Sequence, residues 1–183
     1  IDPHKGLFLP FGSGALLVRD RNRLAQANRY HANYMQDAVR PDVELSPADL
    51  SPELSRPFRG LRLWLPLKLF GLAPFRAALE EKLLLARHFH ARLCELPNWE
   101  VGPEPDLSVV TYRYVPERGD ADEFNRRLAT AVQNDGRIFI SSTQLDGRFT
   151  LRLAVLHFRA HLEQVELALE LLETYAHELV NSA

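Results

Sequence analysis

The apolar and polar positions of this chain fall into three successive patterns. From Gly6 to Val18 an apolar run is punctuated by glycine, which predicts a strand, a β-turn through Phe11-Gly12-Ser13-Gly14 and a second strand from Ala15 to Val18. Arg19 to Tyr30 is polar and basic, and Pro41, Pro47, Pro52 and Pro57 disfavour a helix in 38–57, which reads as a long connection. Phe58 to Phe70 is mostly apolar and reads as a helix kinked or interrupted by Pro66 and closed by Gly71. Between Pro74 and Leu96 apolar residues recur at Phe75, Leu79, Leu83, Ala86, Phe89 and Leu93. These spacings of three and four define one helical face.

Past Pro97 the period shortens. Leu107 to Val115 is β-branched and aromatic, which favours a strand. Asp120 and Glu123 form a capping-box pair ahead of a helix that buries Phe124, Leu128 and Val132. Asp146-Gly147 joins two strands, Arg137 to Leu145 and Arg148 to Val155, as a two-residue hairpin turn. In the second strand Phe149, Leu151, Leu153 and Val155 share one face, and Thr150, Arg152 and Ala154 the other. A last helix over 161–180 is expected to bury Leu162, Val165, Leu169, Leu172, Ala176 and Leu179. Strand, helix, strand, strand, helix makes a small α+β unit whose antiparallel sheet is covered on one side.

Composition narrows the function classes. Of 183 residues, 46% are hydrophobic and 25% charged, as in ordinary globular proteins, and a formal net charge of −2 gives no electrostatic case for nucleic acid or an anionic membrane. Cys94 is the single cysteine, read as a small packing residue; it excludes an intrachain disulfide and a cysteine-built zinc site. No apolar stretch reaches the ~18 residues of a membrane span, and no signal-peptide pattern opens the chain, so the expected setting is cytoplasmic. The histidines other than His4 show no metal-ligand spacing; they read as surface or core-edge residues, no metal site is expected, and Arg126-Arg127 reads as a solvated helix face.

The chemistry concentrates at Asp2-Pro3-His4-Lys5, ahead of the glycine-punctuated run. The stretch resembles the lysine motif of the pyridoxal-phosphate-dependent amino-acid decarboxylases, the aromatic-L-amino-acid and glutamate decarboxylase group. Ser55-Arg-Pro-Phe-Arg-Gly-Leu-Arg-Leu-Trp64 resembles the Arg-Phe-Arg-x-Leu-Lys-x-Trp stretch of the same family, and the likeness continues through Gly136-Arg-Ile and Phe149-Thr-Leu-Arg152-Leu. Two motifs in the right order are far more specific than either alone. The resemblance implies a fold-type-I, α/β architecture. Residues 1–55 would finish the large cofactor-binding domain and carry the active-site loop, 56–96 would be bridging helices, and 97–183 the small α+β domain with its antiparallel sheet.

The resemblance also implies roles. Lys5 would be the Schiff-base lysine, since a neutral amine attacks the cofactor aldehyde and is displaced by an incoming amino acid. His4 would sit against the cofactor at its phosphate side. Tyr34, 29 positions after Lys5 (34 − 5), would lie on a mobile loop and protonate Cα once carbon dioxide has left. Aldehyde-forming relatives carry phenylalanine there, so Tyr34 argues for plain decarboxylation. Arg152 would hold the substrate α-carboxylate, a task suited to the guanidinium fork. Ser55 replaces a glycine near the phosphate in some relatives, and its hydroxyl is a candidate contact. Gly6 stands where many aromatic-amino-acid decarboxylases have tryptophan, and Phe11-Gly12 replaces more polar residues; both positions shape the substrate side.

The expected function is therefore that of the C-terminal part of an L-amino-acid decarboxylase, aromatic substrates first and acidic ones second, acting as a homodimer with shared sites. The chain starts on the motif without a methionine, as a piece of a larger protein would. The family's pyridine-nitrogen aspartate, ring-stacking histidine and most phosphate ligands precede the lysine, so this stretch alone is expected to be catalytically incomplete. Two alternatives stay open: an aldehyde-forming or carbon-carbon lyase relative with the same cofactor, and a non-catalytic dimerisation module.

Overall fold

The computed structural model describes residues 1–28 and 46–182. The chain divides into two compact units, Ile1–Gly71 and Leu72–Ala183. The expected bridging segment 56–96 is shared between them.

The first unit holds helix α1 (Pro3–Gly6), helix α2 (Arg21–Asn28), a single 3-10 turn (Pro47–Leu50) and helix α3 (Gly60–Phe70). The 3-10 turn is closed by a reciprocal capping box, Ser46 with Asp49. Pro66 lies inside α3 without interrupting it, and Gly71 ends the helix with its N–H on the Leu67 carbonyl at 3.0 Å. The two strands expected in 7–18 do not form. Phe8 has φ 58°, which breaks an extended run, and a strand needs a ladder partner. Instead Ile1 and Ala15 exchange backbone hydrogen bonds, both 2.9 Å, and the loop between closes on itself.

The second unit holds helix α4 (Ala73–Cys94), strands β1 (Trp99–Val101) and β2 (Val109–Tyr114), helix α5 (Ala121–Asp135), strands β3 (Ser141–Leu145) and β4 (Arg148–Ala154), and helix α6 (Leu162–Asn181). The sheet is antiparallel throughout, in the order β1-β2-β4-β3. The sequence pattern missed β1, whose three residues are too few to show alternation. The residues 137–140, expected in β3, stay outside the sheet. At the hairpin, Asp146 and Gly147 take φ of 50° and 76°, the doubly positive turn that matches strand twist. Asp120 caps α5 by accepting from the Glu123 N–H at 2.9 Å.

One face of the sheet is covered by helices. Phe89 and Leu93 of α4, Leu128 and Val132 of α5, and Val165, Leu169 and Leu172 of α6 bury against Val110, Tyr112, Leu151 and Leu153. Each such side chain contributes roughly 1.5–3 kcal/mol by leaving water. Tyr112 packs edge-on against Phe89, its ring centroid 5.3 Å away. Among the described residues its hydroxyl finds no hydrogen-bond partner, and burial pushes its pKa far up, so the phenol stays neutral. Asn125 is fully buried and closes the junction of α5 with β2: its amide donates to the Tyr114 and Ala121 carbonyls, both 2.7 Å, and accepts from the Tyr114 N–H at 2.9 Å.

Two burial expectations change, and one charged residue is buried. Leu162 is 52% exposed, because it opens α6 before the helix meets the sheet, while Ala168 and Leu171 are buried in its stead. Cys94 is exposed at the end of α4 and packs nothing in the core. Lys82, a charged residue, is 2% exposed: its ammonium bonds Glu81 at 2.7 Å and the Ala160 carbonyl, and Glu81 in turn meets His161 at 2.6 Å. The His161 hydrogen bond first, then that from Lys82, holds the Glu81 carboxyl below its usual range.

Candidate active site

Lys5 stands on α1, a helical turn begun by buried Pro3, whose fixed φ suits a first helical position. Its Nζ pairs with Asp2 Oδ2 at 2.8 Å, three residues back, and its side chain is 65% exposed. That hydrogen bond, followed by the charge of the ammonium, holds Asp2 below the ordinary carboxylate pKa. An amine that attacks an aldehyde must first lose its proton, so the ion pair with Asp2 has to open before Lys5 reacts.

His4 is turned the other way and held. Its Nδ1 lies 2.7 Å from the Ser13 carbonyl, which accepts only, so Nδ1 carries the proton and Nε2 is the nitrogen left for another partner. The Phe11 ring meets the imidazole edge-on at 5.2 Å. Ser13 is buried and donates to the Pro10 carbonyl at 3.2 Å. The glycine-punctuated run, expected as strand and turn, thus serves as a collar around His4.

Arg62 of α3 fastens that collar, donating through Nη1 to the Phe11 carbonyl at 2.5 Å, 51 residues away in sequence. Gly12 makes the approach compatible: its φ is +83°, and a Cβ there would lie 2.9 Å from Arg62 Nη1. The second motif therefore touches the glycine-punctuated run that follows the lysine motif, through Arg62, to which the sequence pattern assigned no role. Its signal was its membership of the second motif. Ser55 lies on exposed coil ahead of α3. Tyr34 falls outside the described residues.

Arg152 belongs to the second unit, on the open face of the sheet. In register it stands between Thr111 of β2 and Ser141 of β3. Arg152 is exposed, and among the described residues it has no acidic partner. Arg113 on the same face is buried and pairs through Nη2 with Asp122 at 2.9 Å. A cavity of about 630 Å³ in this unit is lined by Leu96, Trp99, Tyr114, Glu173 and His177, and contains none of the expected site residues. No group of three or more potential metal ligands occurs among the described residues.

Residues 1–115 match the family model of the pyridoxal-dependent decarboxylase conserved domain. The chain belongs to the pyridoxal-dependent decarboxylase family. It is 34% identical over 170 residues to an aromatic-L-amino-acid decarboxylase of Bacillus atrophaeus, covering 90% of this chain and 35% of that protein. It is 37% identical over 159 residues to tyrosine decarboxylase 2 of Arabidopsis thaliana, covering 85% of this chain and 29% of that protein. The chain thus spans about a third of the length of the relatives it matches. Among solved structures, Oryza sativa TDC with PLP and tryptamine aligns with a TM-score of 0.79 at 26% identity, over 89% of this chain and 35% of the other. Mouse CSAD in its apo form aligns with a TM-score of 0.78 at 21% identity, over 96% and 38%, a likeness of fold. The mixed α/β fold of this family member, with its four-stranded antiparallel sheet, accords with both.

Proposed function

We propose that the complete protein is a pyridoxal-phosphate-dependent decarboxylase of L-amino acids, aromatic ones first and acidic ones second, releasing carbon dioxide and an amine, with this chain as its C-terminal part. The observation that carries the reading is the family's lysine motif with its amine accessible: Lys5 exposed on a helical turn, beside a histidine whose Nδ1 is held by the Ser13 carbonyl. The aromatic preference draws on the relatives' names.

The residues present fit the aldehyde edge of the cofactor, where an accessible primary amine is required. Pyridoxal phosphate, when bound, supplies the electron sink for the pair left at Cα as carbon dioxide departs. Lys5 would hold the cofactor through its amine once the pair with Asp2 has opened and the ammonium has given up its proton. His4 would use Nε2, the nitrogen not held by Ser13, at the cofactor's phosphate side, and Ser55 would offer its hydroxyl to the phosphate. Arg152 holds the substrate α-carboxylate, and Tyr34 delivers the proton that Cα takes up. The collar of 8–13, pinned by Arg62, keeps the imidazole in place. The enzyme works as a cytoplasmic homodimer, the loop of one subunit completing the site of the other. The exposed apolar side chains of the first unit, among them Phe11, Phe58, Trp64 and Phe70, suit burial in that larger assembly.

The test is borohydride fixation of pyridoxal phosphate to the complete protein, with peptide mapping, alongside carbon dioxide release from a panel of L-amino acids. Fixation on Lys5 and its loss, with at least about a thousandfold drop in rate, in Lys5→Ala is the expected result. Fixation elsewhere, or none, leaves the dimerisation-module reading. Hydrogen peroxide and ammonia as co-products would replace plain decarboxylation by the aldehyde-forming reaction.

A further inference from the structure

The role of Arg152 in holding a carboxylate poses a geometric question that its neighbours answer. A guanidinium has two edges able to fork onto a carboxylate, the Nε/Nη edge and the Nη1/Nη2 end, and a free arginine uses either. Here Arg152 Nε donates to Ser141 Oγ at 3.0 Å, and the same Ser141 hydroxyl donates to the Arg152 backbone carbonyl at 3.2 Å. The two residues are cross-strand partners, so strand pairing itself delivers Ser141 to this spot. With its proton sent to the carbonyl, the hydroxyl turns its lone pairs to Nε. The side edge of the guanidinium is then occupied, and the two terminal nitrogens remain for a ligand.

We infer that Ser141 is a positioning residue for substrate recognition: it locks Arg152 through Nε and leaves the Nη1/Nη2 end as the fork that receives the α-carboxylate. The inference rests on the carboxylate reading of Arg152 and adds the residue that sets its orientation. Removing the Ser141 hydroxyl frees the side edge and restores rotamer freedom to a long side chain on an exposed sheet face, a loss felt only by ligands that carry a carboxylate.

The measurement uses the complete holoenzyme and two probes of one ring system, indole-3-propionate, which has the carboxylate and no amine, and tryptamine, which has the amine and no carboxylate. In Ser141→Ala, affinity for indole-3-propionate and kcat/KM for the preferred aromatic amino acid each fall about five- to tenfold, while tryptamine binding is unchanged. Ser141→Thr restores both. In an Arg152→Gln background, Ser141→Ala costs nothing further, as a shared interaction requires. Wild-type values for Ser141→Ala, equal weakening of both probes, or a full additional loss in the Arg152→Gln background overturns the inference. Arg152→Gln with wild-type affinity for indole-3-propionate brings down the carboxylate reading and this inference with it; an Arg152→Gln defect without a Ser141→Ala defect brings down the positioning role alone.

Discussion

The two units of the chain differ in what holds them. Every member of the main buried cluster, from Leu85 to Ala176, lies in the second unit. Among the described residues the first unit buries only Pro3, Leu9 and Ala25 of its apolar side chains, and it exposes Phe11, Leu16, Leu17, Phe58, Leu69 and Phe70. Its order comes from polar threads instead: Arg62 on Phe11, His4 on Ser13, Arg59 on Glu53. The unit that contains Lys5 has the smaller core among the described residues, and the unit with the larger core contains Arg152. The second unit carries its own hydrophobic driving force, and the described residues of the first unit do not.

That contrast breaks most directly if the units are separated. Residues 72–183 alone are expected to unfold cooperatively in urea, and residues 1–71 alone to show no cooperative transition by circular dichroism; a cooperative melt of 1–71 would overturn the comparison. Next in size is a matched pair of phenylalanines. Phe89→Ala, at a site with 0% exposure, is expected to destabilise the chain by roughly 3–5 kcal/mol in urea titration, and Phe11→Ala, 85% exposed, by no more than about 0.5. Asn125→Ala follows at about 2–3 kcal/mol, because it leaves buried backbone groups of Tyr114 and Ala121 without their side-chain partner.

The smallest effect concerns pH. Hydrogen bonds from Arg137, then from the Tyr175 hydroxyl, hold the Asp135 carboxyl well below its usual pKa. A carboxylate depressed in the folded state stabilises it above the unfolded value of about 3.9, and that contribution drains as pH falls below it toward the folded pKa. The melting temperature of the wild-type chain should therefore drop more steeply below about pH 4 than that of Asp135→Asn. Parallel slopes would remove Asp135 from the acid response.

Much of the second unit was legible because its signals are local. The face of α4, the cap at Asp120, the alternation of β4 and the turn at Asp146-Gly147 all appear where the pattern put them. That turn also sets the register by counting outward, Leu145 on Arg148 and so on to Ser141 on Arg152, so the Arg152 partner was within reach of the sequence. The first unit was harder to read. An apolar run between glycines suits a strand as well as a loop, and only the surrounding backbone decides which, since a strand exists by pairing.

The sequence by itself determined the family motifs, the candidate lysine and arginine, and the helices and strands whose periodicity is complete within a few turns. The tertiary structure alone decided that Lys5 rides a helical turn against Asp2, that Arg62 reaches Phe11 across 51 positions, and that Lys82 is buried on Ala160 across 78. Periodicity records which face of an element avoids water. The partner of a polar group far along the chain depends on how those faces pack, and packing is a property of all the elements at once.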